Sequence, residues 1–351
     1  MAIWMPVYCR LIELTKGGCM NIMREKFSRI MLLCALSMGL VPVAMAEYPE
    51  DVIRMTVAYG PGGATDFQAR IVTMMAAQVD KEGNPKYLNG QPIVVLNRPG
   101  AGGQVGWNSF VQKARPDGYE LAAYNVPHFI SQSIVFPDKV KYNINNLEPI
   151  ANWGADPAVL IVNKDSPFNS VKDVVEYARD NPDKLTVSGA GLYVGHHIAA
   201  LQFDRAAGVQ TKYVPAGGGV KGLQFVLGSQ TMAGWNNLSD AFRSQDRLKI
   251  LAVADLQRND FLPDVPTLKE SGLDVDDSSV NFRGIMAPKG TPADVLQTLA
   301  DKVPAMFKDG KVVKKMKAGG SPMHIMSREE VQAMWKERQT YLTDLLKDLR
   351  K

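Results

Sequence analysis

The chain has 351 residues, 46% hydrophobic and 22% charged, which is a globular balance and excludes a disordered, collagenous or multi-span membrane protein. Its three cysteines, Cys9, Cys19 and Cys34, fall in the first 46 residues, so the remaining 305 can form no disulfide, thiolate metal site, iron–sulfur cluster or cysteine nucleophile. The formal charge of +4 also owes much to that stretch: beyond it 35 basic residues face 34 acidic ones, with no bulk attraction to nucleic acid.

The first element is a leader. Arg24, Lys26 and Arg29 precede an apolar run from Ile30 to Val41, too short for a typical membrane span. Ala44-Met45-Ala46 supplies the small residues that a signal peptidase reads. These features predict export to the periplasm, with cleavage after Ala46 and a mature chain from Glu47; the alternative is an N-terminal membrane anchor. Leu33 before Cys34 argues against a lipoprotein. Residues 1–19 fit no signal pattern, so they are expected to be a mis-assigned extension ahead of a true start at Met20. Lys16-Gly17-Gly18 is encodable by a purine run like a ribosome-binding site, and its codons test that expectation.

Val52 to Ala58 predicts a first strand, followed by the turn Gly60-Pro61-Gly62-Gly63 and a helix carrying Phe67, Ile71, Met74, Met75 and Val79. A strand at 92–96, a glycine-rich turn, a helix and a strand at 119–123 continue a β-α-β-α-β succession, which predicts an α/β domain with a largely parallel sheet. The middle of the chain repeats this grammar. It has a strand at 158–162, a helix opened by the capping box Ser170-x-x-Asp173, a strand at 185–188 and a helix over 194–207. Strands at 212–214, 250–254 and 282–286 follow. Thr291-Pro292 is expected to cap one helix, and Ser327-x-x-Glu330 to open a long C-terminal one.

The chemical signal lies in three strand–glycine–helix junctions: 60–66, 189–195 and 217–219. Glycine lets a ligand approach the backbone, and a helix N-terminus offers free N–H groups and partial positive charge, which together suit an anion. The bland alternative is a set of tight turns. Gly60 to Asp66 lacks the Gly-Lys-Ser/Thr of a P-loop, and Gly100, Gly102 and Gly106 miss the dinucleotide spacing, so no cofactor is expected. Of the four histidines (His128, His196, His197 and His324), the adjacent pair would point about 100° apart on a helix and share a metal poorly. One of the pair could touch a ligand, or it could be a helix-start residue partly in solvent. No catalytic constellation or metal site assembles, so an enzyme is not expected.

Five ordered motifs carry a resemblance. Tyr59 to Asp66 resembles the PGGxxD turn of the Bug/TctC family, the periplasmic solute-binding components of tripartite tricarboxylate transporters. Asn97 to Gly103 is similar to NRPGAGG, Pro116 to Tyr119 to PDGY, Leu262 to Thr267 to LPDVPT, and Ala287 to Pro292 to APxGTP. The resemblance implies an α/β two-domain periplasmic-binding-protein architecture of type II, a Venus flytrap. The domains would be 47–150 plus 276–351, and 151–275, around a ligand cleft. It implies a monomer that captures an organic carboxylate and delivers it to membrane permease subunits; a sensor presenting its closed form to a signalling partner is the alternative. Ligand contacts are expected from Tyr59, Gly60, Pro61, Gly62, Gly63, Ala64, Thr65, Asp66 and Asn125 in the first domain. In the second they are expected from Gly189, Ala190, Gly191, Tyr193, Val194, Gly195, His197, Trp235 and Asn236. Asp66 could orient ligand and water, or simply cap its helix.

The departures bear on specificity. Where the family shows SxGxGTSxH, Val194 and Gly195 replace Thr and Ser, and Tyr193 replaces glycine. Near VPYKG this chain has Val214-Pro215-Ala216-Gly217-Gly218, and Met232 to Asn237 stands in place of DLMFDN. Trp235 and Tyr193 could flank a planar ligand, with Asn236 and Asn237 as amide donors; for Trp235 the alternative is packing behind the cleft. The expected ligand is a carboxylate with apolar or aromatic area, less charged than citrate.

Overall fold

The computed structural model describes residues 47–349. The leader, the cleavage predicted after Ala46, the Met20 start and the three cysteines lie outside the described residues. Among those residues no helix is long and apolar enough to cross a membrane.

Two sheets organise the chain. The first contains β1 (Ile53–Val57), β2 (Ile93–Asn97), β3 (Glu120–Val126), β4 (Leu147–Asp156), β10 (Asn281–Pro288) and β11 (Met323–Met326), in the order β11-β4-β10-β3-β1-β2. The second contains β5 (Ala158–Asn163), β6 (Thr186–Gly189), β7 (Lys212–Pro215), β8 (Ala233–Asn237) and β9 (Leu248–Ala254), in the order β7-β6-β8-β5-β9. Each sheet with its helices forms a lobe. Helices α1 (Ala64–Thr73), α2 (Gln104–Lys113) and α3 (His128–Val135) belong to the first lobe. Helices α4 (Val171–Asp180), α5 (Gly195–Ala207), α6 (Gly219–Leu227) and α7 (Leu238–Phe242) belong to the second. Then α8 (Ala293–Phe307), α9 (Gly310–Ala318) and the long α10 (Arg328–Leu349) return to the first.

The first sheet is mixed rather than largely parallel. β1 pairs parallel with β2 and β3, as the β-α-β succession requires, but β10 runs antiparallel to β3 and β4. The reason is connectivity. β10 enters from the second lobe at the cleft end, where Phe282 meets Val126, so it descends where β3 ascends. The expected domain boundary at residue 150 falls inside β4, whose pairing with β10 continues to Asp156. Only Pro157 then separates β4 from β5.

Local chemistry explains the elements. Ile53, Met55 and Val57 are buried while Arg54 is exposed, giving β1 its core face. Ser170 and Asp173 bond each other's backbone N–H groups and open α4, and Ser327 and Glu330 do the same before α10. Thr291 does not cap α8: its hydroxyl donates to the Pro288 carbonyl at 2.9 Å, and Pro292 immediately precedes the helix.

Candidate ligand-binding cleft

The β1–α1 turn is the best-defined wall. Gly62 has φ +82°, in the region that favours glycine, and its N–H donates to Asp66 Oδ2 at 2.9 Å. Asn97 Nδ2 and Arg70 Nε donate to Asp66 Oδ1 at 2.9 and 3.0 Å. Burial would raise the Asp66 carboxyl, but these donors outweigh it and hold it below the usual range. The side chain is thus turned onto its own loop as a brace and does not line the cavity. Thr65 does line it, and Asn125 Nδ2 donates to Thr65 Oγ1 at 3.0 Å, so Asn125 lies behind the wall.

The cavity between the lobes has a volume of about 550 Å³. From the first lobe it takes Tyr59, Gly60, Pro61, Gly63, Ala64 and Thr65, the turn Pro99–Ala101, His128 and Asn281. From the second it takes Ala190, His196, the α6 start from Gly217 to Lys221, Gln224, Asn237 and Asp240. Gly63 and Gly218 cap α1 and α6, and neither provides a side-chain cap. A methyl group at Gly63 would lie 3.4 Å from Val220 Cγ2, so the two helix starts face each other at close range. Two of the three predicted junctions therefore present helix N-termini to one space, one from each lobe.

The third junction contributes differently. Ala190 N–H donates to His196 Nδ1 at 3.1 Å, so the imidazole proton sits on Nε2. Burial pushes His196 down to about 4, the neighbouring Asn237 side chain opposing, and holds His128 well below its ordinary value. Both imidazoles are neutral at pH 7. Neither His196 nor His197 is partly in solvent: both are buried, and His197 Nδ1 accepts from the Tyr193 N–H at 3.0 Å, away from the cavity.

Several expected contacts lie elsewhere. Trp235 is 1% exposed and meets Phe203 edge-on at 5.8 Å within the second lobe's core, the packing alternative. Tyr193, at φ +53°, rests against Phe136 and His197. Both are outside the cavity lining, so neither flanks this cavity. Asn236 turns into α6, donating to the Gly219 carbonyl, and its neighbour Asn237 faces the cavity. Gly62, Gly189, Gly191, Val194 and Gly195 shape the loops without lining it. Gly191 approaches Gly102 across the lobes so closely that a methyl group on it would lie 2.9 Å from Gly102 Cα.

Beneath the cavity lies a charge pair that sequence reasoning missed. Arg283 on β10 and Asp156 at the end of β4 are both fully buried, with Nη1 to Oδ2 at 2.6 Å. Arg283 also donates to Thr65 Oγ1 at 3.2 Å and Asn237 Oδ1 at 2.7 Å, while Asp156 accepts from Gln68 Nε2 and Ser239 N, each at 3.1 Å. The pair therefore ties both lobes to the cavity floor. A lone arginine in the apolar run from Asn281 to Pro288 was the available signal. Among the described residues no group of three or more His, Cys, Asp or Glu side chains is placed to hold a metal.

Residues 76–349 match the family described as "Tripartite tricarboxylate transporter family receptor". This chain belongs to that family. The family is one of periplasmic solute-binding receptors, and its members share the two-domain α/β architecture seen here. The protein named "UPF0065 protein in gbd 5'region" from Cupriavidus necator is 31% identical over 271 residues, covering 76% of this chain and 78% of that protein. The solved structure of periplasmic binding protein BugD is 28% identical, with a TM-score of 0.75 over 86% of this chain and 98% of the other. MatC from Rhodopseudomonas palustris, solved with bound malate, shares the fold at 23% identity and a TM-score of 0.74, covering 85% and 99%.

Proposed function

We propose that this receptor, exported by its cleaved leader, captures a small organic carboxylate between its lobes. It then delivers the closed form to the permease subunits of a tripartite-type transporter. The observation that carries this reading is the convergence of two glycine-capped helix N-termini, α1 and α6, on one cavity. Each contributes roughly half a positive charge and free N–H donors, so a carboxylate is held without a dedicated arginine. The malate of the MatC structure is a carboxylate of this class. Closure about the crossings at Pro157 and between β9 and β10 would bring the walls together, with 47–156 plus 276–351 as one lobe and 157–275 as the other.

A thermal-shift screen of organic acids, amines and neutral sugars tests this reading, because a ligand of the folded state raises stability by mass action. Carboxylates are expected to raise the midpoint, with calorimetry confirming one site per monomer. Stabilisation by amines or sugars alone would remove the assignment.

A further inference from the structure

Asp240, at the start of the short α7, brings a carboxylate of the protein's own to the cavity. The residue is 4% exposed. Its Oδ2 accepts from the Ala64 N–H of α1 at 3.3 Å, across the lobes, and from Asn237 Nδ2 at 3.2 Å. A methyl group at Gly219, the first residue of α6, would lie 3.5 Å from the same oxygen. Its Oδ1 is paired with Arg243, whose guanidinium stacks over Phe67 at 4.3 Å. Asp240 thus lies where the two helix starts meet and takes one of the N–H groups that would serve a ligand anion.

We propose that Asp240 is a specificity-determining residue that limits this receptor to monocarboxylates by occupying one of two anion positions in the cleft. The inference rests on the carboxylate-receptor reading above. The remaining position is the start of α6 beside Lys221, the cationic side chain among the lining residues. Neither wall offers a second countercharge. His128 and His196 are buried imidazoles kept neutral by desolvation, and Arg283 is already committed to Asp156 beneath the floor. Burial raises the Asp240 carboxyl while its pairing with Arg243 opposes that and favours the charged form, so a second ligand carboxylate would meet a position already filled by an anionic oxygen, with the Ala64 N–H already taken.

Calorimetry with hexanoate and hexanedioate, on the wild-type protein and on Asp240→Asn, tests this. The asparagine keeps the size and the acceptor for the Ala64 N–H but carries no charge. Wild type is expected to bind hexanoate at least tenfold more tightly than hexanedioate, and the variant to narrow or invert that ratio by tenfold or more. A wild-type preference for hexanedioate, or an unchanged ratio in the variant, would overturn the proposal. The wild-type ranking is decisive alone if the variant does not fold, and Asp240→Ser gives a second uncharged side chain. Failure of both acids to bind either protein would count against the carboxylate reading itself; binding of hexanoate without the selectivity would count only against Asp240.

Discussion

The two walls of the cavity are made of different material. The first-lobe wall is built on two glycine-rich turns, Gly60 to Thr65 and Pro99 to Ala101, with Tyr59, His128 and Asn281 beside them, and is held by side chains such as Asp66 and Asn125 that stay behind it. The second-lobe wall adds polar side chains, His196, Asn237 and Asp240, to the start of α6. A backbone wall presents fixed dipoles that do not titrate. A side-chain wall carries protons, charges and residue identity, so it can adjust specificity without altering the fold.

The largest expected effect comes from the pair that joins the walls. Arg283→Met leaves Asp156 charged and buried without its partner, and removes the bridges to Thr65 and Asn237. A loss of about 3–5 kcal/mol in urea unfolding is expected. A loss below about 1 kcal/mol, within the range of exposed pairs, would show that the lobes are joined by something other than this network.

Acid should act next on the buried histidines: His196 in the second-lobe wall, His197 behind it, and His128 in the first-lobe wall, which burial shifts in the same direction. Folded His196 and His197 titrate at about 4, whereas unfolded histidine titrates at 6.5. The unfolded chain therefore binds more protons between these values, so stability is full above pH 6.5 and falls as pH drops towards 4. Each fully expressed shift of this size is worth about 3 kcal/mol. Asp204 opposes them in part. Burial raises it to about 6 against the Thr211 bonds, so its folded form keeps a proton that the unfolded chain gives up near 3.8, and its contribution is lost as pH rises through 6. Denaturant midpoints from pH 7 to 4 should fall steeply. His197→Asn retains an acceptor for the Tyr193 N–H and should flatten that slope; an unchanged slope would place the sensitivity elsewhere.

The contrast between walls also explains what the sequence disclosed. Glycine turns are legible because their residues announce their backbone: Gly62 needs positive φ, and the glycines at 217–219 precede a helix. The strand–helix grammar and both capping boxes were legible for the same local reason. Side-chain direction was not. Of the pair His196/His197, where a contact from His197 was expected, the cavity takes His196, and of the two expected amide donors Asn236 and Asn237 it takes Asn237. Neighbours on a strand or helix point in different directions, so a one-residue choice moves a side chain from cleft to core. Trp235 follows the same logic: it sits on β8 facing the second lobe's core. Asp240 and Arg283 depend on where separate strands end in space, information that no short window holds.

Asp66 sharpens the comparison from the first-lobe side. Asp66→Ala removes the acceptor for Gly62, Arg70 and Asn97. It should cost about 2 kcal/mol of stability while leaving carboxylate affinity of the folded protein near wild type. Affinity that collapses with stability intact would move Asp66 from brace to ligand contact.

The smallest effect separates steric contact from chemistry. A methyl group at Gly191 would lie 2.9 Å from Gly102 Cα, a backbone atom that has nowhere to go, whereas one at Gly63 meets Val220 Cγ2 at 3.4 Å, the end of a side chain that can yield. Neither substitution touches a titratable group or alters the cavity's charge. Gly191→Ala should therefore leave each lobe folded but hold the lobes apart, weakening hexanoate about tenfold, or about 1.4 kcal/mol. Scattering should show a radius of gyration that no longer contracts when hexanoate is added. Gly63→Ala should bind nearly as wild type, because the Val220 rotamer absorbs the contact. If both variants lose affinity equally, the first wall is as intolerant as the inter-lobe contact and its N–H groups require that glycine. If neither does, the Gly102–Gly191 approach does not govern closure.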